Sequence, residues 1–464
     1  MSSFLKIILL FFLLLFLALS LRYCFKSETE GAPFAGYHIR LSGQTAGELK
    51  SQLESGLGIT LTPENFHVCP CDSSLVNLTL SDVTIEGHGP AQVKTGTGGV
   101  GLDLDIDYGK NYLLASETDS LGRNFIGQWL SALKDSTTGS VKEGRFNPYS
   151  LTNEERAGTG AENLVAIFDS GIHPDLMSLP YQNALGLPAS AQNLLCVPPV
   201  MVPPASPLAR LFGINFMPET DGSLNYGDIR DQTLMQHGTK VTHLLASQRI
   251  GRVSAPLRVM TMKVLNRENR GDLFSLMCAM SQAKKMGARI FNMSLGYYGS
   301  EDSLFRSYIQ SLASDKIWLV TAAGNALPGS DIGSTDLPEN RDLDQRPLES
   351  KFFPAFFARD MNHVIAVTTV HDGPDKVCDM QNYGKSVVDV GVLANDCKFA
   401  FNAPGQQVTV RGSSYATPVV AGWIARKPNL GSYSDKAALL GDALADTALE
   451  SKIKGGKYIK PNGN

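Results

Sequence analysis

This chain of 464 residues has two successive patterns of hydrophobic and polar residues, and the first gives way to the second near residue 161. From residue 35 to about residue 107, apolar and polar residues alternate as in half-buried strands, with one stretch at helical spacing. The alternating stretches are Tyr37–Leu41, Leu75–Ile85 and Val100–Tyr108, and the helical one is Thr45–Gly56. This mixture predicts a small α+β domain over residues 35–115.

Beyond residue 161 the strands become continuous apolar runs that alternate with helical stretches. The runs are Leu164–Phe168, Leu257–Leu265, Ala288–Met293, Ile317–Ala322 and Val364–Val370. Uninterrupted apolar strands between helices are typical of a parallel sheet that is covered on both faces. An α/β domain of this kind is therefore predicted over residues 161–450. Ligands of such sheets bind at the carboxyl ends of the strands.

The remaining segments read as targeting, linker and tail. An apolar run of about 15 residues, 7–21, follows Lys6, which suits a signal-peptide core better than a membrane span of roughly 20. Residues 1–26 are thus predicted to be a signal peptide, with an uncleaved membrane anchor as the alternative. Residues 116–160 look like an exposed linker, and 451–464 like a C-terminal tail.

Charge and cysteine content narrow the classes of partner. The net charge is −4 and no basic stripe is present, which excludes a nucleic-acid partner. The seven cysteines would form disulfides in an oxidising compartment, but the sequence does not pair them. Cys69-Pro-Cys71 lacks a second pair at zinc spacing, so no metal site is predicted. Cys278 lies in an apolar helical stretch and is expected to be a buried thiol.

Four polar residues stand where chemistry is expected in an α/β sheet. Asp169 ends an apolar strand, His237 opens a helix, and Asn325 follows another strand. Ser414 precedes Thr417-Pro418, where a helix begins near unpaired backbone N–H groups. Each residue alone is explained by a turn or a helix cap. Together they supply the orienting acid, base, nucleophile and oxyanion donor that acyl transfer requires.

Three blocks resemble the subtilisin-like serine proteases (subtilases). They are Asp-Ser-Gly at 169–171, His-Gly-Thr at 237–239 and Gly-Ser-Ser-Tyr-Ala-Thr-Pro at 412–418. The order Asp, His, Ser along the chain is that of this family and differs from other triad folds. The resemblance extends from about residue 163 to residue 449, and it implies an α/β subtilisin-like fold.

The resemblance also assigns roles to these residues. Ser414 would attack the scissile carbonyl, His237 would take the proton, and Asp169 would orient the imidazole. Asn325 would donate its side-chain amide to the oxyanion, with the Ser414 backbone N–H as second donor.

A substrate-binding surface is implied by two further stretches. Ser294, Leu295 and Gly296 resemble the strand that pairs with extended substrate, and Gly271 lies in its partner on the other side. Substrate would then be held as an added β-strand.

The resulting hypothesis is an exported serine endopeptidase, secreted or periplasmic, that acts on proteins or peptides. Its membrane contact is limited to residues 7–21, if they stay uncleaved. The alternative is a catalytically silent subtilase fold used for binding. No cofactor is required for the chemistry, and structural calcium is left open. Residues 35–115 occupy the position of a propeptide that would inhibit the enzyme and be self-cleaved within 116–160; a permanent accessory domain is the other interpretation.

Overall fold

A computed structural model describes most of the chain outside its N-terminus and several connecting segments. The described residues are 34–80, 83–86, 91–95, 101–116, 163–172, 213–217, 226–233, 235–248, 257–325, 341–371, 377–403 and 406–461. The predicted signal peptide or anchor and all of the predicted linker except residue 116 lie outside them. Within the described residues, no helix has both the length and the apolar composition needed to cross a membrane.

In the N-terminal unit, the described residues form one helix and seven strands. Its elements are β1 (Phe34–Arg40), α1 (Ala46–Leu57), β2 (Phe66–Cys69), β3 (Asp72–Leu78), β4 (Val83–Glu86), β5 (Ala91–Thr95), β6 (Gly101–Leu104) and β7 (Asp107–Ser116). α1 begins at a capping box, in which Thr45 and Glu48 satisfy each other's backbone N–H groups. Leu49 and Leu53, four residues apart, are buried on one face of this helix, as its spacing predicts.

The larger unit supplies the remaining elements. In chain order they are β8 (Asn163–Asp169), β9 (Gly213–Asn215), α2 (His237–Ser247), β10 (Leu257–Lys263), β11 (Arg270–Asp272), α3 (Leu273–Lys285), β12 (Ile290–Met293), β13 (Leu295–Gly299), α4 (Ser303–Ser311), β14 (Trp318–Ala322), β15 (Lys351–Phe353), β16 (Val364–Val370), β17 (Val390–Leu393), β18 (Phe399–Ala403), β19 (Gln406–Val410), α5 (Ser413–Ala425), α6 (Lys436–Leu439), β20 (Leu444–Ala445) and β21 (Lys457–Ile459).

A nine-stranded sheet forms the centre of the larger unit, in the order β20-β21-β17-β16-β14-β12-β8-β10-β9. All neighbours are parallel except β20 and β21. Along β8, Val165 and Ile167 pack in the core that contains α2 and α5, whereas Ala166 and Phe168 pack with α3 and α4. The sheet is thus covered on both faces, which confirms the predicted α/β fold.

A second sheet joins the two units, because β7 continues from one into the other. Its order is β15-β13-β7-β1-β3-β2, with β11 also paired to β7. The first half of β7 pairs with β1, and the last residues pair with β11 and β13. The strand therefore ends inside the larger unit, and the small α+β pattern predicted for residues 35–115 is built around it.

Several expectations change in detail. The stretch Leu75–Ile85, expected as one strand, is divided between β3 and β4, which belong to different sheets. Residues 451–464, expected as a tail, contain β21, which pairs with β17 and β20 in the central sheet. The prediction that Cys278 is a free buried thiol is wrong: it forms a disulfide with Cys69, whose position beside α3 depends on how the two units pack.

Candidate active site

The carboxylate of Asp169 and the imidazole of His237 meet at the carboxyl end of the central sheet. Asp169 is the last residue of β8, and its Oδ1 lies 2.8 Å from His237 Nδ1. Both side chains are fully buried. Asp169 Oδ1 also accepts from the backbone N–H of Ser170, at 2.8 Å. The carboxylate is therefore held in one orientation by backbone and ring together.

A second carboxylate, Asp231, fixes the start of α2, and the sequence reasoning missed it. Its Oδ2 accepts from the backbone N–H of Thr239 at 3.0 Å, and its Oδ1 lies 3.1 Å from the hydroxyl of Ser170. Ser170 in turn accepts from the Gly238 N–H at 3.0 Å. Asp231 thus ties the first turn of α2, which carries His237, to the loop after Asp169. The available signal was an Asp-x-Thr turn six residues before His237.

Ser414 lies in the first turn of α5 and is buried. Its hydroxyl donates to the carbonyl of Ser294 at 3.1 Å, and the Ser294 hydroxyl donates to the carbonyl of Ser414 at 2.7 Å. The next residue, Tyr415, places its ring 5.1 Å from the ring of His237, centroid to centroid. The three residues of the predicted triad, which are 68 and 177 positions apart (237 − 169 and 414 − 237), thus converge on one region.

The triad residues converge because α2 and α5 approach each other closely, and a glycine permits this approach. A Cβ on Gly422 of α5 would lie 2.4 Å from the carbonyl oxygen of Leu245 on α2. Only a residue without a side chain lets the two backbones come this near. Val241 and Val420, among other apolar residues of the two helices, fill the rest of the contact.

Asn325 follows β14 at the same edge of the sheet. Its backbone carbonyl accepts from the hydroxyl of Tyr298. The preceding Gly324 donates its N–H to the hydroxyl of Ser413 at 3.1 Å, next to Ser414. Asn382 holds the turn by donating its side-chain amide to the carbonyl of Ala323 at 2.9 Å. Tyr298 and Asn382 have no sequence motif that would have marked them.

Burial, rather than a nearby charge, controls the other titratable side chains of α2. Burial lowers the pKa of His243 to about 4, so that this imidazole is neutral at pH 7. Burial also lowers the pKa of Lys240, although the charge of Asp231 acts in the opposite direction. His243 therefore adds no positive charge to the site.

The groove beside Ser414 contains the end of β7. Leu114 pairs with Gly271 of β11 on one side, and Ala115 and Ser116 pair with Gly296 and Leu295 of β13 on the other. Both pairings are antiparallel. The residues expected to hold substrate thus hold an extended segment of the same chain, which reaches the residue next to Ser294.

Comparisons with known proteins agree with these motifs. A model of the subtilase family matches residues 160–455. Subtilisin-like protease 2 of Pseudogymnoascus destructans is 30% identical over 236 residues, 49% of this chain and 52% of that protein. Subtilisin-like protease 1 of the same fungus is 28% identical over 237 residues, again 49% of this chain and 52% of that protein. The chain spans about half the length of the curated relatives it matches.

A solved structure shares the fold over most of the chain. It is a mutant of the epidermin leader peptide processing serine protease from Staphylococcus aureus, with a TM-score of 0.53 and 16% identity. The match covers 92% of this chain and 97% of that one. At this identity the likeness concerns the fold alone.

Proposed function

The chain belongs to the subtilase family, and we propose that it is an exported serine endopeptidase that cleaves proteins or peptides through an acyl-enzyme. One observation carries the proposal: a strand of the chain itself lies where an extended substrate would, and it ends beside Leu295. The adjacent Ser294 exchanges two hydrogen bonds with Ser414. A groove that holds extended backbone next to a serine at a helix N-terminus suits peptide-bond hydrolysis.

In the proposed mechanism, Ser414 attacks the carbonyl carbon while His237 Nε2 takes the hydroxyl proton. Asp169 accepts the Nδ1 proton in a hydrogen bond, which keeps Nε2 as the acceptor and stabilises the imidazolium that forms. His237 then gives the proton to the leaving amine. Water enters, and the same proton transfers run again to release the acyl group from Ser414.

We assign the oxyanion to a site between Asn325 and the start of α5. The Asn325 side-chain amide and the Ser414 backbone N–H are the proposed donors. The hydrogen bond from Gly324 to Ser413 keeps the two elements together, which favours a pre-formed site. None of these steps requires a metal ion or an organic cofactor.

Export is proposed on chemical grounds. Within the described residues, Cys69 is bonded to Cys278 and Cys378 to Cys397, and such disulfides persist in oxidising compartments. The predicted signal peptide over residues 1–26 fits this destination. Mass spectrometry of the N-terminus of the secreted protein tests whether this signal peptide has been removed.

We further propose that the N-terminal unit inhibits the enzyme, and that the chain cleaves itself among the first peptide bonds after Ser116. The end of β7 fills the groove in the direction and spacing of an added strand, antiparallel to both β11 and β13. A substrate protein must displace it. The unit is then an intramolecular inhibitor, as well as the first substrate.

Labelling with a fluorophosphonate probe tests the central proposal. A nucleophilic serine forms a covalent adduct, so we expect labelling at Ser414, located by mass spectrometry, in the folded protein and not after denaturation. The incubation is prolonged because the end of β7 fills the groove part of the time and would slow the labelling. A folded protein that takes up no label at Ser414 would instead be the catalytically silent binding protein.

Two neighbouring leucines of β7 test how the groove selects its occupant. Leu114 is 1% exposed and Leu113 is 36% exposed, on the same strand. In Leu114→Asp a carboxylate would be buried without a partner, at a cost of several kcal/mol, so we expect self-cleavage at least about tenfold slower. Leu113→Asp should process at nearly the normal rate, because its side chain faces outward. The rates are read from the loss of full-length chain on reducing gels.

Equal processing of the two leucine variants would contradict the proposed register. It would also indicate that the groove accepts a charged residue at the position of Leu114. Peptides based on residues 112–116, with leucine or aspartate at that position, extend the test to added substrates.

A further inference from the structure

A disulfide joins the two units across the proposed cleavage region. Cys69 ends β2 in the N-terminal unit, and Cys278 lies in the middle of α3 in the larger unit. The proposed cleavage after Ser116 falls between them in the sequence, so hydrolysis there would leave both fragments linked. We propose that the N-terminal unit is a permanent, disulfide-linked subunit of the processed protein, not a propeptide that departs. This inference rests on the proposed function, because the two linked fragments arise only if the chain cleaves itself.

The disulfide lies in an interface where polar groups of one unit are paired with polar groups of the other. His38 Nε2 of β1 lies 3.0 Å from Asp302 Oδ1, with both side chains almost fully buried. The backbone N–H of Phe274 donates to Asn111 Oδ1 at 2.8 Å. Buried polar groups paired across an interface fix one relative position of the two units. The cysteines are thus held next to each other by contacts that do not depend on the bond.

Further contacts lie close to the disulfide itself. Lys285 Nζ donates to the carbonyl of Cys71 at 2.5 Å, and the hydroxyl of Tyr308 donates to Asp72 Oδ2. The ring of Tyr112 stacks on Tyr297 with centroids 4.6 Å apart. These contacts connect the segment around Cys69 and the end of β7 with α3, α4 and β13. Detachment of the N-terminal unit would break all of them together.

Burial protects the bond from reduction. Cys69 is 0% exposed and Cys278 2% exposed. A thiolate must reach a sulfur atom to exchange with it, so attack requires that the interface open first. Cys71 lies in the same cluster, with the three sulfur atoms within 4.8 Å of one another. Cys71 is itself disulfide-bonded, so the tests below remove it in order to isolate the bond between Cys69 and Cys278.

Covalent linkage changes how the unit inhibits. A separate inhibitor dissociates on dilution, whereas a tethered one keeps an effective concentration that dilution does not change. The groove of the processed wild type would therefore be refilled by the end of β7 at any protein concentration. Substrates would act by displacing this strand while the unit stays attached through Cys69 and Cys278.

A disulfide within the larger unit supplies a matched control. Cys378 and Cys397 are 19 residues apart and both lie in the larger unit. Cys397→Ser removes that bond without touching the interface. Cys278→Ser removes the partner of Cys69. Cys71 is disulfide-bonded as well, so the parent and both variants are compared in a Cys71→Ser background, which leaves Cys69–Cys278 as the bond under test. The two variants lose one disulfide each and differ in which units the bond connects.

The first test measures linkage without relying on the protein's own activity. A recognition sequence for an added site-specific protease is placed between residues 117 and 162 in a Ser414→Ala background. After cleavage, we expect one band on a non-reducing denaturing gel and two after reduction. Cys397→Ser should behave in the same way, and Cys278→Ser should give two bands without reductant. Two bands from the cleaved parent without reductant would overturn the proposal.

Disulfide mapping of the unaltered chain provides a second test, which does not depend on whether the Cys278→Ser variant folds. A peptide containing Cys278 should be recovered in linkage with the peptide containing residues 69 and 71. Recovery of the Cys278 peptide as a free thiol, or linked to a cysteine outside the N-terminal unit, would refute the tether.

A dilution series tests the consequence for inhibition in the self-processed protein. We expect the specific activity of wild type and of Cys397→Ser to be constant as the protein is diluted, and that of Cys278→Ser to rise. A rise in wild type would contradict a permanent subunit. If the protein never cleaves itself, the proposed function fails. The gel with added protease still shows whether a disulfide joins the two fragments.

Discussion

Replacement of Ser414 by alanine is expected to leave the chain at full length and to abolish peptide hydrolysis. Without the hydroxyl no acyl-enzyme forms, and kcat should fall about 10⁶-fold, as in related proteases that lose the nucleophile. Processing is measured on reducing gels, since a disulfide would hide it otherwise. Turnover is measured with a peptide that carries residues 112–116 at the amino side of the cleaved bond.

Ser413→Ala provides the matched control for this change. Ser413 precedes the proposed nucleophile in α5, and its hydroxyl accepts from the Gly324 N–H at 3.1 Å. Its loss should loosen the turn before Asn325 and lower kcat far less than Ser414→Ala. If Ser413→Ala were the inactive variant and Ser414→Ala the active one, the assignment of the nucleophile would be wrong.

The second large effect is expected for Asp169→Asn. An amide at this position can donate to Nδ1 of His237, which favours the tautomer that carries its proton on Nε2 and cannot accept another from Ser414. The charge that stabilises the imidazolium is lost too. We expect kcat to fall about 10⁴-fold with KM almost unchanged, because the groove is untouched. Steady-state kinetics measure both parameters after an added protease has cut wild type and variant between residues 117 and 162, because the variant is not expected to process itself.

Asp228→Asn is the control for the loss of a nearby carboxylate. Asp228 pairs with Arg230 through two hydrogen bonds of 2.6 Å, and the pairing with this guanidinium lowers the pKa of Asp228. Its replacement should leave kcat within a few-fold of wild type. A comparable loss in both variants, or a loss below tenfold in Asp169→Asn, would mean that Asp169 does not orient the base.

The fold was predictable from the sequence where a strand carries its own pattern. Val364–Val370 is observed as β16 with the expected bounds, and Leu164–Phe168 lies within β8. Leu164–Phe168 is apolar at every position, and Val364–Val370 is apolar except for the buried Thr368 and Thr369, because both faces of the sheet are covered. The prediction failed for residues 457–459, which form β21. This short strand has little pattern, and its place depends on the neighbours that it finds in β17 and β20.

The candidate site was predictable where a motif is local. The Asp-Ser-Gly, His-Gly-Thr and Gly-Ser-Ser blocks each combine a functional side chain with the turn that presents it. Asp231 and Asn382 escaped notice because each contacts a residue about 60 positions away, the hydroxyl of Ser170 and the carbonyl of Ala323 respectively. Carboxylates and amides with such roles look the same in a sequence as those that face solvent.

The sequence by itself determined the family, the parallel sheet and the identity of the three proposed catalytic residues, since apolar periodicity and short motifs are local properties of a chain. Only the tertiary structure decided that the end of β7 fills the groove between Gly271 and Gly296, and that Cys69 is bonded to Cys278. Both depend on how two separately patterned units pack together. The energy of that packing comes from side chains more than 150 positions apart, whose pairing no local pattern encodes.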